Sequence, residues 1–148
     1  VEENLAKYQK LVDHVDIFHG LRPADVHKIF QKGMTVRVTK GETVFYKETE
    51  GNQMYVILGG KVGVFDGPKM LAKLTVGMTF GEISLLNNEP RTATIVALEA
   101  TNLLMLSEEV FQKLLTKRVA VQILLNMSRM MGKRLAASNL MVREQEGR

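Results

Sequence analysis

The chain has 148 residues, enough for one domain with its own core, and its 45% hydrophobic and 24% charged content is that of a globular protein rather than a disordered or fibrous one. The net charge of +4 favours anionic partners in general but is too mild to indicate nucleic acid. No cysteine is present, so disulfides and thiolate metal sites are excluded, and no apolar run approaches the ~20 residues that would span a bilayer.

A cysteine-free chain with an acidic, polar start and no signal peptide fits a cytoplasmic location, and the opening valine suggests a piece of a longer protein. Residues 2–13 have the spacing of a helix, with Leu5, Tyr8 and Val12 on one face. "DIFHGLRPADVHKIF" reads as a turn around Gly20 and a second short helix, with Pro23 suited to its first position. From Met34 the period changes to that of strands. "MTVRV" alternates, "GETVF" begins at a glycine, and "MYVILGGKVGVF" is two β-rich runs broken at Gly59-Gly60. Asp66-Gly67 is a hairpin signal ahead of "MLAKLTV", and "TATIVAL" and "NLLML" are two further strands. Short strands joined by glycine turns predict a barrel or sandwich of the jelly-roll kind. Helical spacing returns at Ser107-Glu108-Glu109-Val110, a capped start with an acidic first turn, and continues as a long amphipathic segment over roughly 119–142.

Between two of these strands lies "FGEISLLNNEPRTAT", residues 80–94, which carries one acid and one base among small residues. Gly81 permits close backbone approach, and the residues after it look like one helical turn whose first N–H groups favour an anion. Arg91 adds a planar charged fork suited to phosphate oxygens, and the small Ala93 leaves its backbone N–H reachable. Glu82 would repel a phosphate, but it suits a ligand that also carries a hydroxyl donor nearby, as a ribose 2′-OH does. An acid for a sugar and a base for a phosphate describe a nucleotide. The plainer reading is a surface salt bridge between Glu82 and Arg91, worth ~0–1 kcal/mol.

The ordered string decides between them. "FGEISLL…PRTAT" resembles the phosphate-binding cassette of the cyclic nucleotide-binding domain family. "IFHGLRPADVHKIF" resembles the helix that leads into that domain, and "KGETVFYKETEGNQMYVILGGKVGVF" its glycine-marked strands. The resemblance covers nearly all of residues 1–135. It implies that Arg91 pairs with the cyclic phosphate, that Glu82 accepts from the ribose 2′-OH, and that backbone N–H groups near Ile83, Ser84 and Ala93 complete the cradle. Gly81 would allow close approach, and Thr92 would reach a guanine amino group or a phosphate oxygen. Gly41, Gly51 and Gly60 would be barrel-turn residues. Ser84 stands where alanine is commoner, and Lys47-Glu48 where an acidic residue and glycine are more usual, which puts the nearby turn geometry in question.

His14, His19 and His27 all lie in the helical start rather than on strands, so no metal site is expected, and Glu82 has no second carboxylate for acid–base work. No direct nucleic-acid contact is expected. Lys117-Arg118 and Lys133-Arg134 read as solvated helix faces, and the stretch after Leu140 is too short for a helix-turn-helix. The long helix carries Val121, Leu124, Leu125, Met127, Met130, Met131 and Leu135, a stripe that packs on its own domain or on a partner helix. Its later turns offer Arg129, Lys133 and Arg134 as contacts for a purine base, and spacing does not choose among them.

The expectation is one domain over 1–148, mainly β with flanking helices: helical over 1–33, a jelly-roll-like barrel of about eight strands over 34–107 with the cassette at 80–94, and helices over 108–142. Its function would be non-catalytic sensing of cAMP or cGMP, coupled to movement of the C-terminal helix and so to an unknown effector. No cofactor and no membrane segment are expected, and a homodimer through the C-terminal helix is open. The alternative is a degenerate structural or dimerisation module that keeps the barrel and binds no nucleotide.

Overall fold

Among the described residues, 2–146, the computed structural model folds eight strands into two four-stranded antiparallel sheets with helices at both chain ends. Val1, Gly147 and Arg148, part of the predicted domain, lie outside the described residues. The helix α1 (Glu2–His14), a 3-10 turn (Asp16–Phe18) and α2 (Pro23–Lys32) precede the strands. Then come β1 (Met34–Val38), β2 (Thr43–Phe45), β3 (Gln53–Gly59), β4 (Lys61–Asp66), β5 (Lys69–Thr75) and β6 (Thr79–Phe80). The short helix α3 (Glu82–Asn87) separates these from β7 (Thr94–Ala97) and β8 (Thr101–Ser107), and the long helix α4 (Lys117–Glu146) closes the chain.

One sheet has the order β1-β8-β3-β6 and the other β2-β7-β4-β5. Their inner faces share one core that includes Tyr55, Ile57, Val62, Leu74, Ile95 and Leu103. The first sheet is covered on its outer face as well. Met54 and Val56 of β3, with Leu104 and Leu106 of β8, pack against Val26 and Ile29 of α2. Residues of β3 therefore alternate between two cores, which is why the segment reads as a continuous apolar run. The predicted hairpin at Asp66-Gly67 joins β4 to β5. The break at Gly59-Gly60 has another purpose: β3 and β4 belong to different sheets, so the chain changes sheet there.

Three details depart from the sequence reading. Strand β6 was not foreseen, because two residues pairing with Tyr55 and Val56 are too few to show a period. Leu5 lies 40% exposed, and Leu11 packs with Tyr8 and Val12 in its stead. The helix begun at Ser107 does not run on. Ser107 Oγ accepts from the Val110 N–H at 3.4 Å, but Val110–Leu114 form a single π-type turn closed by the Leu115 N–H on Val110 O at 3.0 Å. Thr116 then caps α4, accepting from the Val119 N–H at 3.4 Å.

The lower half of α4 is anchored. Val119, Ile123 and Met127 are buried among Val15, Ile17 and Phe18, and Met130 packs beside them. Asn126, 3% exposed, donates to Ile17 O at 2.9 Å and to His19 O at 2.8 Å. Asp25 in the first turn of α2 accepts from the Arg22 N–H at 3.0 Å and from Arg118 of α4 at 2.8 Å. Burial pushes the Asp25 carboxyl up, but the hydrogen bonds from Arg118 and Arg22 outweigh it and hold the group below the ordinary carboxylate value. Of the predicted stripe, Val121, Leu124, Leu125 and Leu135 remain exposed. No helix among the described residues is long and apolar enough to cross a membrane.

Candidate functional site

Strand β6 ends at Phe80, which is buried and stacked on Tyr55 with ring centroids 5.0 Å apart. Gly81 then turns the chain into α3 with a φ of 83°. A Cβ at this position would be strained by that φ and would lie 2.8 Å from Arg91 Nη1. The glycine thus serves both the turn and the approach of Arg91.

Glu82 opens α3 and is only 6% exposed. Its Oε1 accepts from Arg134 Nη1 at 2.8 Å, while its Oε2 is buried and has no hydrogen-bond partner among the described residues. A bare buried acceptor costs on the order of 1–3 kcal/mol, more when charged, so this oxygen is a place where a donor would be gained. Ser84 is buried beneath the same helix and Ile83 is half-buried. The first N–H groups of α3 have no acceptor inside the helix, and the earliest to bond back is that of Leu85, to Gly81 O at 3.4 Å.

Arg91, 3% exposed, is a buried cation. Its Nη1 donates to Gln53 O at 2.8 Å and Gly81 O at 3.3 Å, its Nη2 to Gln53 Oε1 at 3.4 Å, and its guanidinium lies 4.1 Å over the Phe45 ring. Every one of these acceptors is neutral, and no carboxylate pairs with Arg91 among the described residues. Burial pulls the guanidinium below its ordinary value, and the Tyr55 phenol offsets part of that. An arginine remains charged under any such shift, so the site holds an uncompensated positive charge. The alternative reading, a salt bridge between Glu82 and Arg91, is not what forms; Glu82 pairs with Arg134.

The loop before β3 seats this arginine. The Glu48 N–H donates to Arg91 O at 2.7 Å and the Arg91 N–H to Thr49 O at 2.9 Å. Glu48 holds a φ of 70°, so the turn keeps its left-handed form although a glutamate stands there, at a cost of about 1–2 kcal/mol. Gly51 lies in that loop and has a second use. A Cβ on it would sit 2.5 Å from Arg91 Nη2, so its lack of a side chain makes room for the guanidinium.

Glu82 and Arg91 line one cavity of about 250 Å3, together with Gly81, Ile83, Ser84, Thr92, Ala93 and Arg134. Thr92 is exposed and Ala93 buried. The apolar lining comes from Val64, Ala72 and Leu74 of the β4–β5 hairpin, with Phe45, Phe80 and Ile95. Sequence reasoning missed that hairpin wall, although the alternation Val62, Val64 along β4 marked its inward face. Of the three basic residues offered by the long helix, Arg134 reaches the cavity. Arg129 and Lys133 instead line a separate cleft with Asp16, His19 and Asn126. Among the described residues, no group of three or more His, Cys, Asp or Glu is placed to hold a metal ion.

Comparison with known proteins shows the family. A model of the family described as "Cyclic nucleotide-binding domain" matches residues 35–118. The chain is 32% identical over 129 residues to the cyclic AMP receptor protein of Thermus thermophilus, covering 84% of this chain and 59% of that one. It is 28% identical over 108 residues to a cAMP-dependent protein kinase regulatory subunit of Hypocrea atroviridis, covering 73% of this chain and 23% of that protein. The chain thus spans about a quarter of the kinase subunit's length and less than two thirds of the receptor's. A solved cyclic nucleotide-binding domain from Methylobacillus flagellatus shares the fold with a TM-score of 0.81 at 21% identity, over 97% of this chain and 83% of that one.

Proposed function

The chain belongs to the cyclic nucleotide-binding domain family, and on that footing we propose that it is a non-catalytic, cytoplasmic sensor of cAMP or cGMP whose helix α4 moves on binding and thereby regulates an effector. The observation that carries this reading is the pairing, on one cavity, of a buried cation without an anion and a buried carboxylate oxygen without a donor. A cyclic phosphate supplies the anion to Arg91 and a ribose 2′-hydroxyl supplies the donor to Glu82. Ile83, Ser84 and Ala93 line the same cavity, where their N–H groups would complete the phosphate cradle, and Val64, Ala72 and Leu74 would offer apolar surface to a purine. Thr92, exposed on the cavity lining, is placed to favour the guanine amino group or a phosphate oxygen. Helix movement is supported by the unequal anchoring of α4, which is buried at Ile123 and Met127 but touches the site through Arg134.

Titration calorimetry with cAMP and with cGMP tests the reading, with one-site binding of at least one of them expected. The exposed Val121, Leu124, Leu125 and Leu135 support pairing of two copies through α4. A chain that binds neither nucleotide yet sediments as a dimer would be the barrel kept as an interaction module, and the sensor reading would fail.

A further inference from the structure

We infer that the cleft between the N-terminal helices and the first sheet is a second ligand site, and that it takes a small amphiphilic organic anion. The apolar body would lie against Leu11, Phe30 and Leu58, and the anionic head would sit by Lys7 and Arg37. This cleft shares no lining residue with the cavity of Glu82, so the inference does not rest on the nucleotide reading.

The cleft exists because the helices cover the outer face of that sheet only in part. Helix α2 packs on Met54 and Val56 of β3 and on Leu104 and Leu106 of β8. It ends with Gly33 pressed onto β8, where a Cβ would lie 2.8 Å from Leu106 Cδ2 and 3.0 Å from Met105 O. On the same two strands Leu58 is only half-buried and Asn102 is exposed. Helix α1 leans over this part of the sheet. Its Tyr8 ring lies 5.5 Å from that of Phe30, and its Lys7 and Leu11 reach the cleft. The space enclosed is about 450 Å3, and β1 is the edge of its sheet, so no further strand closes that side.

The lining has one sign of charge over an apolar floor. Leu11, Phe30, Val36 and Leu58 are each half-buried, so each leaves apolar surface uncovered. Val36 and Val38 pack toward the inner core, so by strand alternation Arg37 stands on the outer side, in register with Asn102. Among the described residues the cleft is lined by two cations and no carboxylate, whereas the Glu82 cavity and the cleft of Asp16 each carry one. A cationic ligand would be repelled there. An uncharged apolar ligand would gain nothing from Lys7 and Arg37, and a bare inorganic anion would leave the floor wet. An apolar chain with an anionic head satisfies both parts of the lining. The volume lies within the range of small-ligand sites, about 300–1,000 Å3. A helix with its side chains, ~10–12 Å across, would fill it with about one turn, too little to dock.

The test is calorimetry on the whole chain with octanoate, and with acetate, 1-octanol and octyltrimethylammonium as controls, all below the concentrations at which they self-associate. Octanoate should bind at one site, and each control at least about tenfold more weakly. Lys7→Gln and Arg37→Gln should each lower octanoate affinity about threefold, as expected of exposed charges, and together about tenfold. Thr35→Glu, which sets a carboxylate on the exposed face of β1 beside Arg37, should lower it further. Thermal unfolding establishes that each variant is folded. In nuclear magnetic resonance spectra, octanoate should shift the amides of residues 7–11, 30–37, 58 and 102 and leave those of residues 80–94 in place. Competition by cAMP, or loss of binding in Arg91→Ala but not in Arg37→Gln, would put octanoate in the cavity of Glu82 and overturn the inference. Binding of 1-octanol as tight as that of octanoate would overturn it too, by removing the part given to the cations. Uptake that never saturates would mean an adventitious additive only. Binding of a short peptide of alternating leucine and glutamate, with none of octanoate, would make the cleft a peptide groove and overturn the small-ligand assignment.

Discussion

Arg91 and Glu82 are both buried, both charged and both on the wall of one cavity, yet they are held by different parts of the chain. Arg91 is held by the barrel alone: Gln53 of β3, Gly81 at the head of α3, the Phe45 ring, and the turn at Glu48 and Thr49 that grips its backbone. All of those contacts lie within the two sheets and the loops that join them. Glu82 depends on a residue 52 positions further on, at the far half of α4. The difference teaches how a sensor can be divided. On the proposed reading, the charge that would draw in a phosphate is organised by the barrel and needs nothing from α4. The acceptor proposed for the sugar is held by α4, so this would be the half of the site through which occupancy is reported.

The sharpest way to break that contrast is to remove the arginine. Arg91→Ala should weaken cyclic nucleotide binding by ~2–5 kcal/mol, the cost of leaving a desolvated ligand charge unpaired. It should also lower the unfolding temperature, because Gln53 O and Gly81 O lose their donor, about 1–3 kcal/mol where such groups stay dry. Amide exchange in residues 117–134 should be unchanged in the ligand-free variant, since the hydrogen bonds of the Arg91 side chain run to β3 and Gly81 and not to α4. Binding as tight as the parent's would remove the phosphate assignment, and faster exchange along α4 would mean that the two halves of the site are not separately supported.

That division was only half legible in the sequence. The strands other than β6 were, because alternation and glycine breaks report local geometry. Gly81, Glu82 and Arg91 were, because the short loop keeps their order and chemistry in one string. Arg134 was one of three candidates with equal claims. Only the packing of Ile123, Asn126 and Met127 sets the rotation of α4 and so decides that Arg134 reaches the cavity of Glu82 while Arg129 and Lys133 do not line it. The role of Gly51 was hidden for a similar reason. Its importance lies in the arginine that passes over it from residue 91, and nothing local to "TEGNQ" encodes that neighbour. The apolar wall of Val64, Ala72 and Leu74 belongs to a hairpin that was foreseen, but its facing partner depends on how two sheets close.

The helix side of the contrast can be loosened without touching the site. Asn126→Ala would leave Ile17 O and His19 O without a donor and should destabilise the chain by ~1–3 kcal/mol. Amide exchange should quicken over residues 119–134 while the strands keep their protection. A uniform loss of protection across the sheets would show that α4 and the barrel open as one unit and that the helix cannot be loosened separately.

The smallest expected effect lies at the foot of α4, where Asp25 ties the first turn of α2 to Arg118. Its carboxyl is held below the ordinary value of 3.8, with the bonds from Arg118 and Arg22 outweighing burial. A carboxyl lowered on folding stabilises the folded state fully at pH values above its unfolded pKa, and that contribution disappears as pH falls through the lowered one. Asp25 stands at N3 and accepts from the backbone N–H of the N-cap residue Arg22, a bond that the amide oxygen of Asn can still take, so Asp25→Asn removes the charge and keeps the helix start. Arg118 is half-exposed, so solvent screening limits the loss to ~1 kcal/mol at neutral pH, seen as a modest drop in unfolding temperature. The parent and the variant should converge as the pH falls through the lowered pKa of Asp25, and 1 M salt should narrow the gap at pH 7. Nucleotide affinity should not change, because the pair lies outside the cavity lining. A gap that persists at low pH would mean that Asp25 acts through its shape rather than its charge. A change in affinity would mean that the foot of α4, and not only its upper half, answers to the ligand.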